Sequence, residues 1–233
     1  MRYKELAEIL RKNIDKGVYQ ETGKLPTEDN LMEEYQVTRY CVRNAINILV
    51  ELGQVYPVQG SGMFTRTSKR KGCLSLGTTK GVTGELEDSK VETKVIRLES
   101  MQADQEWAER MKCAIGTPIY HVIRVRYVDG EPLSVEDTYY NKEMVSYLDE
   151  KIAAGSIFHY IKSSLGLNIG FADKIVYADK LTKEVAKHLE LEAGDPAIVI
   201  EDDVYLTNGK MFNASHVYYH YKRAKFFNLA SAK

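Results

Sequence analysis

Apolar residues recur every three to four positions in three segments of the N-terminal third, which predicts three amphipathic helices. The first helix covers residues 3–16 and ends before Gly17. Thr27 and Thr38 are placed to cap the second and third helices, because a threonine hydroxyl accepts a hydrogen bond from the first helical turn. Only a tight turn fits between the second and third helices. The pattern therefore indicates a helix-turn-helix unit.

The third predicted helix carries hydrogen-bonding side chains opposite its apolar face. They are Arg39, Tyr40, Arg43, Asn44 and Asn47. Arginine can bind guanine, and asparagine adenine, through two hydrogen bonds in the major groove of DNA. The helix N-terminus with Thr38 suits a phosphate. A polar face turned to solvent explains this helix alone equally well.

The next segment favours the DNA-binding interpretation. Residues 54–58 and 63–66 read as two short strands joined by residues 59–62, which include Gly60 and Gly62. Glycines let the backbone at a hairpin tip approach a groove closely. A helix-turn-helix followed by this hairpin predicts a winged helix.

The remainder of the chain repeats one order of elements: a strand, a helix and a hairpin. The motifs that mark the two copies are Gly116-Thr117-Pro118 with Asp129-Gly130, and Gly194-Asp195-Pro196 with Asn208-Gly209. Two such units predict a domain with a mainly antiparallel sheet, helices and internal pseudo-symmetry. The fold class is therefore α+β. We predict a DNA-binding domain at residues 1–67, a linker at residues 68–90 and a second domain at residues 91–233. The linker is rich in Lys, Gly, Ser and Thr, and we expect it to be a solvated tether. A contact of its basic run at residues 68–72 with flanking DNA is the alternative.

Charge and composition exclude several classes of protein. The net charge of −1 hides a mildly basic start, with 12 Lys and Arg against 9 Asp and Glu in residues 1–72. No run of apolar residues is long enough for a membrane span, and the three cysteines are spaced for neither disulfides nor zinc. His216 and His220 would be about 13 Å apart on a strand, too far to share one metal ion. We expect a cytoplasmic protein with no membrane association, no cofactor and no metal.

Two arginines in the second domain suggest an anion-binding site. Arg124 and Arg126 alternate on one strand, so they share a face, and two guanidinium groups suit a phosphate or carboxylate. Exposed arginines without a ligand are the alternative. Glu136 on the partner strand faces away from them if Asp129-Gly130 alone form the turn. It shares their face if the loop has three residues.

The N-terminal motifs resemble the GntR family of bacterial regulators over residues 3–66. They are Leu25-Pro26-Thr27-Glu28, Val37-Thr38-Arg39, Val42-Arg43 and Gln59-Gly60-Ser61-Gly62. The resemblance implies DNA contacts from Thr27, Glu28, Thr38, Arg39, Arg43 and Gly62, to which the polar face of the helix adds Tyr40 and Asn44. The family usually has an arginine where this sequence has Asp29, so either the operator differs or another cation substitutes.

The C-terminal motifs resemble the UTRA effector domain of the HutC subfamily over about residues 85–230. They are Gly-x-Pro, Arg-x-Arg, Asp-Gly-x-Pro, a later glutamate and Ser156-Ile157-Phe158. The resemblance implies that Arg124, Arg126 and Ser156 bind an anion, that Glu136 binds hydroxyl groups, and that Phe158 and Tyr219 line the pocket. Asn213 replaces an expected glutamate, and Lys80-Gly81 replaces an aromatic and a hydroxyl residue. We therefore expect a phosphorylated sugar other than an amino-sugar phosphate.

Together these patterns predict a ligand-responsive repressor. A homodimer would bind a pseudo-palindromic operator through two winged helices and be released by a small anionic metabolite bound to the effector-binding and dimerisation domain. We expect no enzymatic activity, since nucleophile motifs are lacking. The alternative is an enzyme of chorismate-lyase-like fold joined to a DNA-binding domain. A DNA-binding protein without ligand control would not explain the large second domain.

Overall fold

A computed structural model describes residues 1–67, 70–79, 81–86 and 89–229 of the 233-residue chain. It divides into two compact units, Met1–Gly77 with Phe226–Lys233, and Thr78–Lys225. No helix within these described ranges is long and apolar enough to cross a membrane.

The first unit is a winged helix-turn-helix. Its elements are α1 (Tyr3–Asp15), α2 (Glu28–Tyr35), α3 (Arg39–Glu51), β1 (Val55–Val58), β2 (Gly62–Thr65) and β3 (Leu74–Ser75). The helices pack around fully buried apolar residues, among them Leu6, Leu10, Leu31, Val42 and Leu49. Strands β1 and β2 form the antiparallel wing.

The second unit is built around one antiparallel sheet. Its elements are α4 (Gly81–Glu85), β4 (Val91–Gln102), α5 (Gln105–Met111), β5 (Pro118–Val128), β6 (Glu131–Asn141), α6 (Glu150–Ala154), α7 (Ile157–Ser163), β7 (Ile169–Lys180), α8 (Lys183–Leu189), β8 (Pro196–Leu206) and β9 (Met211–His220). The strand order is β4-β5-β6-β9-β8-β7. The two strand-helix-hairpin repeats thus mirror each other about the centre of the sheet, which confirms the predicted α+β class.

Helices cover both faces of this sheet. On one face, α6 and α7 pack through Ala153, Ile157 and Ile161 against Val122 and Tyr140. On the opposite face, α5 packs against β5, β6 and β9, and α8 packs against β5, β6 and β8. After β9, strand β10 (Phe226–Phe227) returns to the first unit and pairs in parallel with β3. The segment predicted as a linker therefore includes β3 and α4.

The β5–β6 hairpin places Glu136 on the face of the two arginines, but it does so without the three-residue loop on which this placement was expected to depend. Asp129 and Gly130 form a two-residue turn, with φ of 52° and 87° as a type I′ turn requires. Tyr127 pairs with Pro132 and Arg126 with Ser134, so that Leu133 is an extra, bulged residue. This bulge moves the register by one residue and places Arg124 opposite Glu136.

Candidate functional site

The two threonines predicted to contact DNA also hold the helices in place. Thr27 Oγ1 accepts a hydrogen bond from the Asn30 amide at 3.3 Å, and Thr38 Oγ1 accepts one from the Cys41 amide at 3.3 Å. Both are therefore N-caps of α2 and α3, as the sequence predicted. Their loss would weaken the helices as well as any phosphate contact.

The two arginines of α3 bind acidic residues of α2. Arg43 Nε donates to both carboxylate oxygens of Glu28, at 3.1 and 3.0 Å, and Arg39 forms an ion pair with Asp29. More than half of each arginine side chain is exposed. Exposed ion pairs contribute at most about 1 kcal/mol, so phosphates or bases can displace the acids.

The remaining predicted contacts lie on the exposed surface of α3 and on the wing. Tyr40 is 73% exposed, and Asn44 Nδ2 donates to the Tyr40 carbonyl at 2.7 Å. Gly62 has a φ of 101°, a conformation that other residues rarely adopt. Within 4 Å of the position that a Cβ would occupy there, no other atom of the described chain is found. The tip of the wing is thus open to a partner.

A buried charge cluster lies on one face of the second unit's sheet. Glu136 accepts a hydrogen bond from Arg124 Nε at 2.6 Å and another from Arg126 Nε at 2.9 Å. The three residues are only 7%, 5% and 3% exposed, in the order Glu136, Arg124, Arg126. The sheet and its bulge therefore bring together Arg124, Arg126 and Glu136, three of the four residues of the predicted anion and hydroxyl subsites.

The arginines determine the ionisation of Glu136. Burial alone would raise the pKa of this carboxyl, but the guanidinium groups of Arg124 and Arg126 outweigh it and lower the pKa to about 2. Glu136 is therefore charged at neutral pH. One carboxylate between two guanidinium groups leaves the cluster with one net positive charge.

Further hydrogen bonds hold the outer nitrogens of the arginines. Arg124 Nη1 donates to the carbonyls of Ala153 at 2.9 Å and Gly155 at 3.3 Å. Arg126 Nη1 donates to Thr93 Oγ1 at 2.6 Å and to Thr83 Oγ1 at 3.3 Å. Sequence reasoning missed both threonines. Nothing in the pattern places α4, which carries Thr83, against the sheet, and Thr93 faces Arg126 only through the register of β4 with β5.

The charges of this cluster influence the ionisation of two nearby tyrosines. Burial raises the pKa of Tyr140 to about 12 and also raises the pKa of Tyr219. Both hydroxyls are therefore neutral at physiological pH. Tyr219 was predicted from the resemblance, whereas Tyr140 was not singled out.

The other predicted effector residues have structural partners of their own. Ser156 Oγ caps α7 by accepting a hydrogen bond from the His159 amide at 3.3 Å. Phe158 packs edge-on against Phe212, with ring centroids 6.1 Å apart. Asn213 is buried and donates to the Tyr139 carbonyl at 3.2 Å. Of the three, Ser156 is next in sequence to Gly155, whose carbonyl binds Arg124.

The second repeat has an acid where the first has Arg124. Asp202 forms an ion pair with Lys174 on β7, and burial raises the pKa of Asp202. Its Oδ1 atom is buried and has no hydrogen-bond partner among the described residues. The two sequence repeats align Asp202 with Arg124, since each lies eight residues after the glycine of its Gly-x-Pro motif.

The histidines considered as metal ligands have different neighbours. His216 contacts Arg110, with 2.9 Å between Nε2 and Nη1, and His220 Nδ1 accepts from the Lys222 amide at 3.2 Å. Over the part of the chain that the structure describes, no three His, Cys, Asp or Glu residues are grouped to hold a metal ion.

Comparison with known proteins agrees with both halves of this geometry. A model described as bacterial regulatory proteins, gntR family, matches residues 2–65, and a model of the UTRA domain matches residues 87–225. The chain belongs to the GntR family of bacterial transcription regulators with a UTRA domain.

Individual relatives extend over nearly the whole GntR-family chain. It is 38% identical over 226 residues to the uncharacterized HTH-type transcriptional regulator YydK of Bacillus subtilis, covering 97% of this chain and 96% of YydK. The crystal structure of YydK matches with a TM-score of 0.82 at 36% identity, covering 99% of this chain and 100% of that structure. The HTH-type transcriptional repressor NagR of the same organism is 28% identical, and the alignment covers 93% of this chain and 89% of NagR.

The family assignment agrees with the prediction that this GntR-family protein is a transcription regulator rather than an enzyme, since the relatives are named as regulators. Two departures from the family pattern have different outcomes. Asp29 is bound to Arg39. Lys80 lies outside the described residues, and its neighbour Gly81 begins α4.

Proposed function

We propose that this GntR-family regulator is a cytoplasmic homodimeric repressor that is released from a pseudo-palindromic operator by a small anionic metabolite, most specifically a phosphorylated sugar. The buried Arg124–Glu136–Arg126 cluster carries the proposal. Burying three charged groups costs several kcal/mol per ion in proteins, so such a cluster is poor evidence for a purely stabilising role.

The geometry of the cluster favours an anionic ligand. Glu136 occupies the Nε edge of each guanidinium, which fixes the two planar groups beside each other. A ligand phosphate or carboxylate can then neutralise the remaining positive charge through the other guanidinium nitrogens. Neutral Tyr140 and Tyr219 hydroxyls can donate to hydroxyl or phosphate oxygens.

The first unit supports the operator part of the proposal. Helix α3 presents Arg39, Tyr40, Arg43 and Asn44, while Gly62 leaves the wing open. A single winged helix makes few base contacts, and two copies related by a two-fold axis would read half-sites about 34–36 Å apart.

A contact of α4 connects the charge cluster to the segment predicted as a linker. Thr83 lies in the segment predicted as a linker and accepts a hydrogen bond from Arg126. An anion that takes over Arg126 Nη1 would release Thr83 and change the conformation of this segment. The DNA-binding units would then prefer a different spacing, which lowers operator affinity.

Thermal unfolding with a panel of sugars, sugar phosphates and carboxylates tests the effector site. We expect one phosphorylated sugar to raise the wild-type unfolding midpoint, because a ligand of the folded state stabilises it by mass action. Arg124→Lys keeps the charge but loses the planar guanidinium fork. We expect this variant to bind the sugar at least tenfold more weakly, a loss of about 1.4 kcal/mol, so that the same ligand concentration raises its midpoint less.

Arg110→Lys is the matched control. Arg110 also binds an acid, Asp203, but lies on α5 at the opposite face of the sheet. Its replacement should leave the ligand response intact. A neutral compound that stabilises both variants equally would contradict the anion site.

Asp29→Asn tests the role of the unusual acid beside Arg39. Removing this charge leaves Arg39 only its longer, 4.0 Å ion pair with Glu28, which phosphates can displace. We therefore expect affinity for random-sequence duplex DNA to rise on the order of tenfold at low salt. The slope of log affinity against log salt should steepen by about one per protomer.

Fluorescence anisotropy over a salt series provides the measurement. Glu33→Gln, an exposed acid on the same helix, is the control and should change neither quantity much. If Asp29→Asn weakened non-specific binding, Asp29 would be supporting Arg39 rather than competing with DNA for it.

A further inference from the structure

Strand β7 exposes an unusual amount of apolar side chain at the edge of the sheet. It is 12 residues long and, in the described ranges, pairs with β8 on one side only. Its exposed apolar residues are Phe171 (52%), Ile175 (60%), Val176 (46%) and Tyr177 (37%). A long edge strand with free backbone groups and exposed apolar side chains readily pairs with another strand.

The opposite edge of the same sheet is protected. Strand β4 carries exposed charged residues at Glu92, Lys94, Arg97 and Glu99. Its pairing with β5 is also interrupted by an extra residue at Ile96. Charges and bulges are the usual means by which soluble proteins prevent pairing at an edge. Strand β7 also has exposed charges, at Asp173, Asp179 and Lys180, and a register shift at Gly170 near its start. Among the described residues, however, large exposed apolar side chains lie on β7 and not on β4, so β7 is the edge better suited to accept a strand.

We propose that β7 pairs antiparallel with β7 of a second copy of this chain, so that two six-stranded sheets join into one. This inference rests on the homodimer in the proposed function and names its interface. We choose a second copy as the partner because two β7 strands can pair symmetrically without placing like charges opposite each other.

Two-fold symmetry restricts that pairing to a few registers. The axis passes between two copies of one residue, so that each residue pairs with a position equally far on the other side of it. Centring the pairing on Val176 places Asp173 opposite Asp179, and centring it on Tyr177 places Lys174 opposite Lys180. Like charges directly opposite each other are destabilising.

Centring the pairing on Ile175 avoids both repulsions. Ile175 then meets its own copy, Lys174 lies opposite Val176, and Asp173 lies opposite Tyr177. Lys174 keeps its ion pair with Asp202, since that contact is made toward β8 within one chain. The most exposed apolar residue of the strand thus lies on the two-fold axis.

Cysteine cross-linking tests the register. In a full-length chain with Cys73 and Cys113 replaced by serine, Ile175→Cys should form a disulfide-linked dimer on mild oxidation. Opposed residues of an antiparallel pair have Cα atoms about 4.5–5.5 Å apart, within disulfide range. Val176→Cys copies would be about 8 Å apart and should cross-link at least tenfold more slowly. Faster cross-linking at Val176 than at Ile175 would overturn this register.

Sedimentation equilibrium tests the interface itself without DNA or effector. Wild type should sediment at twice the mass of the chain, and Ile175→Glu should dissociate at least tenfold more readily. Lys94→Glu places the same side chain on the other edge and should remain a dimer. A dimeric Ile175→Glu would overturn the interface while leaving the homodimer of the proposed function. A monomeric wild type would overturn both, while the effector and DNA tests above stand independently.

Discussion

Glu136→Gln is expected to lower the free energy of unfolding by about 3–5 kcal/mol, because it leaves two buried guanidinium groups side by side without a counter-charge. The wild-type carboxylate accepts hydrogen bonds from both arginines at 2.6 and 2.9 Å. In thermal unfolding we expect the midpoint to fall by about 6–20 °C for a unit of this size. Glu92→Gln is the control, because Glu92 also pairs with a cation, Lys90, but at the surface, where such pairs contribute at most about 1 kcal/mol.

Two further measurements distinguish a charge effect from a general packing defect. Sulfate should stabilise Glu136→Gln more than wild type, since it can supply the missing negative charge. The pKa of Glu136 in the folded protein lies below its ordinary value of 4.5, so the ionised carboxylate stabilises the wild-type fold at pH values above 4.5. This contribution is lost as the pH falls toward 2. The stability difference between wild type and variant should therefore narrow below pH 4.5. A variant that loses less than about 1 kcal/mol would show that the cluster is not truly desolvated.

Arg43→Ala is expected to weaken operator binding between about 30-fold and about 10⁴-fold. An arginine that makes a bidentate base contact contributes about 1–3 kcal/mol per half-site, and a dimer has two half-sites. The substitution also leaves Glu28 without its Arg43 partner, which adds repulsion toward the phosphates. The measurement is fluorescence anisotropy with a palindromic duplex that the wild-type protein enriches from a random pool.

Arg11→Ala provides the matched control for this experiment. Arg11 also forms an ion pair with a glutamate, Glu8, but lies on α1 rather than on α3. The affinity of the Arg11→Ala variant for the enriched duplex should stay within about threefold of wild type, as expected when the replaced residue makes no base contacts. An equal loss in both variants would indicate a general charge effect instead of base recognition by Arg43.

The parts of the fold governed by local chemistry could be predicted from the sequence. Thr27 and Thr38 begin helices because their hydroxyls accept amide hydrogen bonds one turn ahead. Each repeat contains a Gly-x-Pro motif and a turn motif, Asp-Gly in the first and Asn-Gly in the second. These motifs predicted the order of strand, helix and hairpin in both repeats. Turn and cap residues act over three or four positions, so a pattern in the sequence suffices to locate them.

The register of the β5–β6 hairpin required the structure. The sequence offered two loop lengths, and the chain uses the shorter turn with a bulge at Leu133 instead. A bulge can lie anywhere along a hairpin, because it depends on the packing of side chains on both faces. Glu136 therefore could be proposed as a site residue, but its position opposite Arg124 could not be derived.

Contacts between distant segments were also beyond sequence reasoning. Asp29 stands where the family usually has an arginine, and its ion pair with Arg39 depends on how α2 packs against α3. Thr83 reaches Arg126 only because α4 folds onto the sheet. Both contacts join residues at least ten positions apart, where neither helical nor strand periodicity carries information.

The unequal edges of the sheet bear on how large an assembly this chain can form. Strands β4 and β7 are equivalent in the two repeats and occupy opposite ends of one sheet. If both accepted a partner, each added copy would offer a fresh edge, and growth would continue into a fibre. In our proposal the charges and bulge of β4 stop that growth. Pairing through β7 alone would use the exposed edge of both copies, so the proposed assembly closes at two chains.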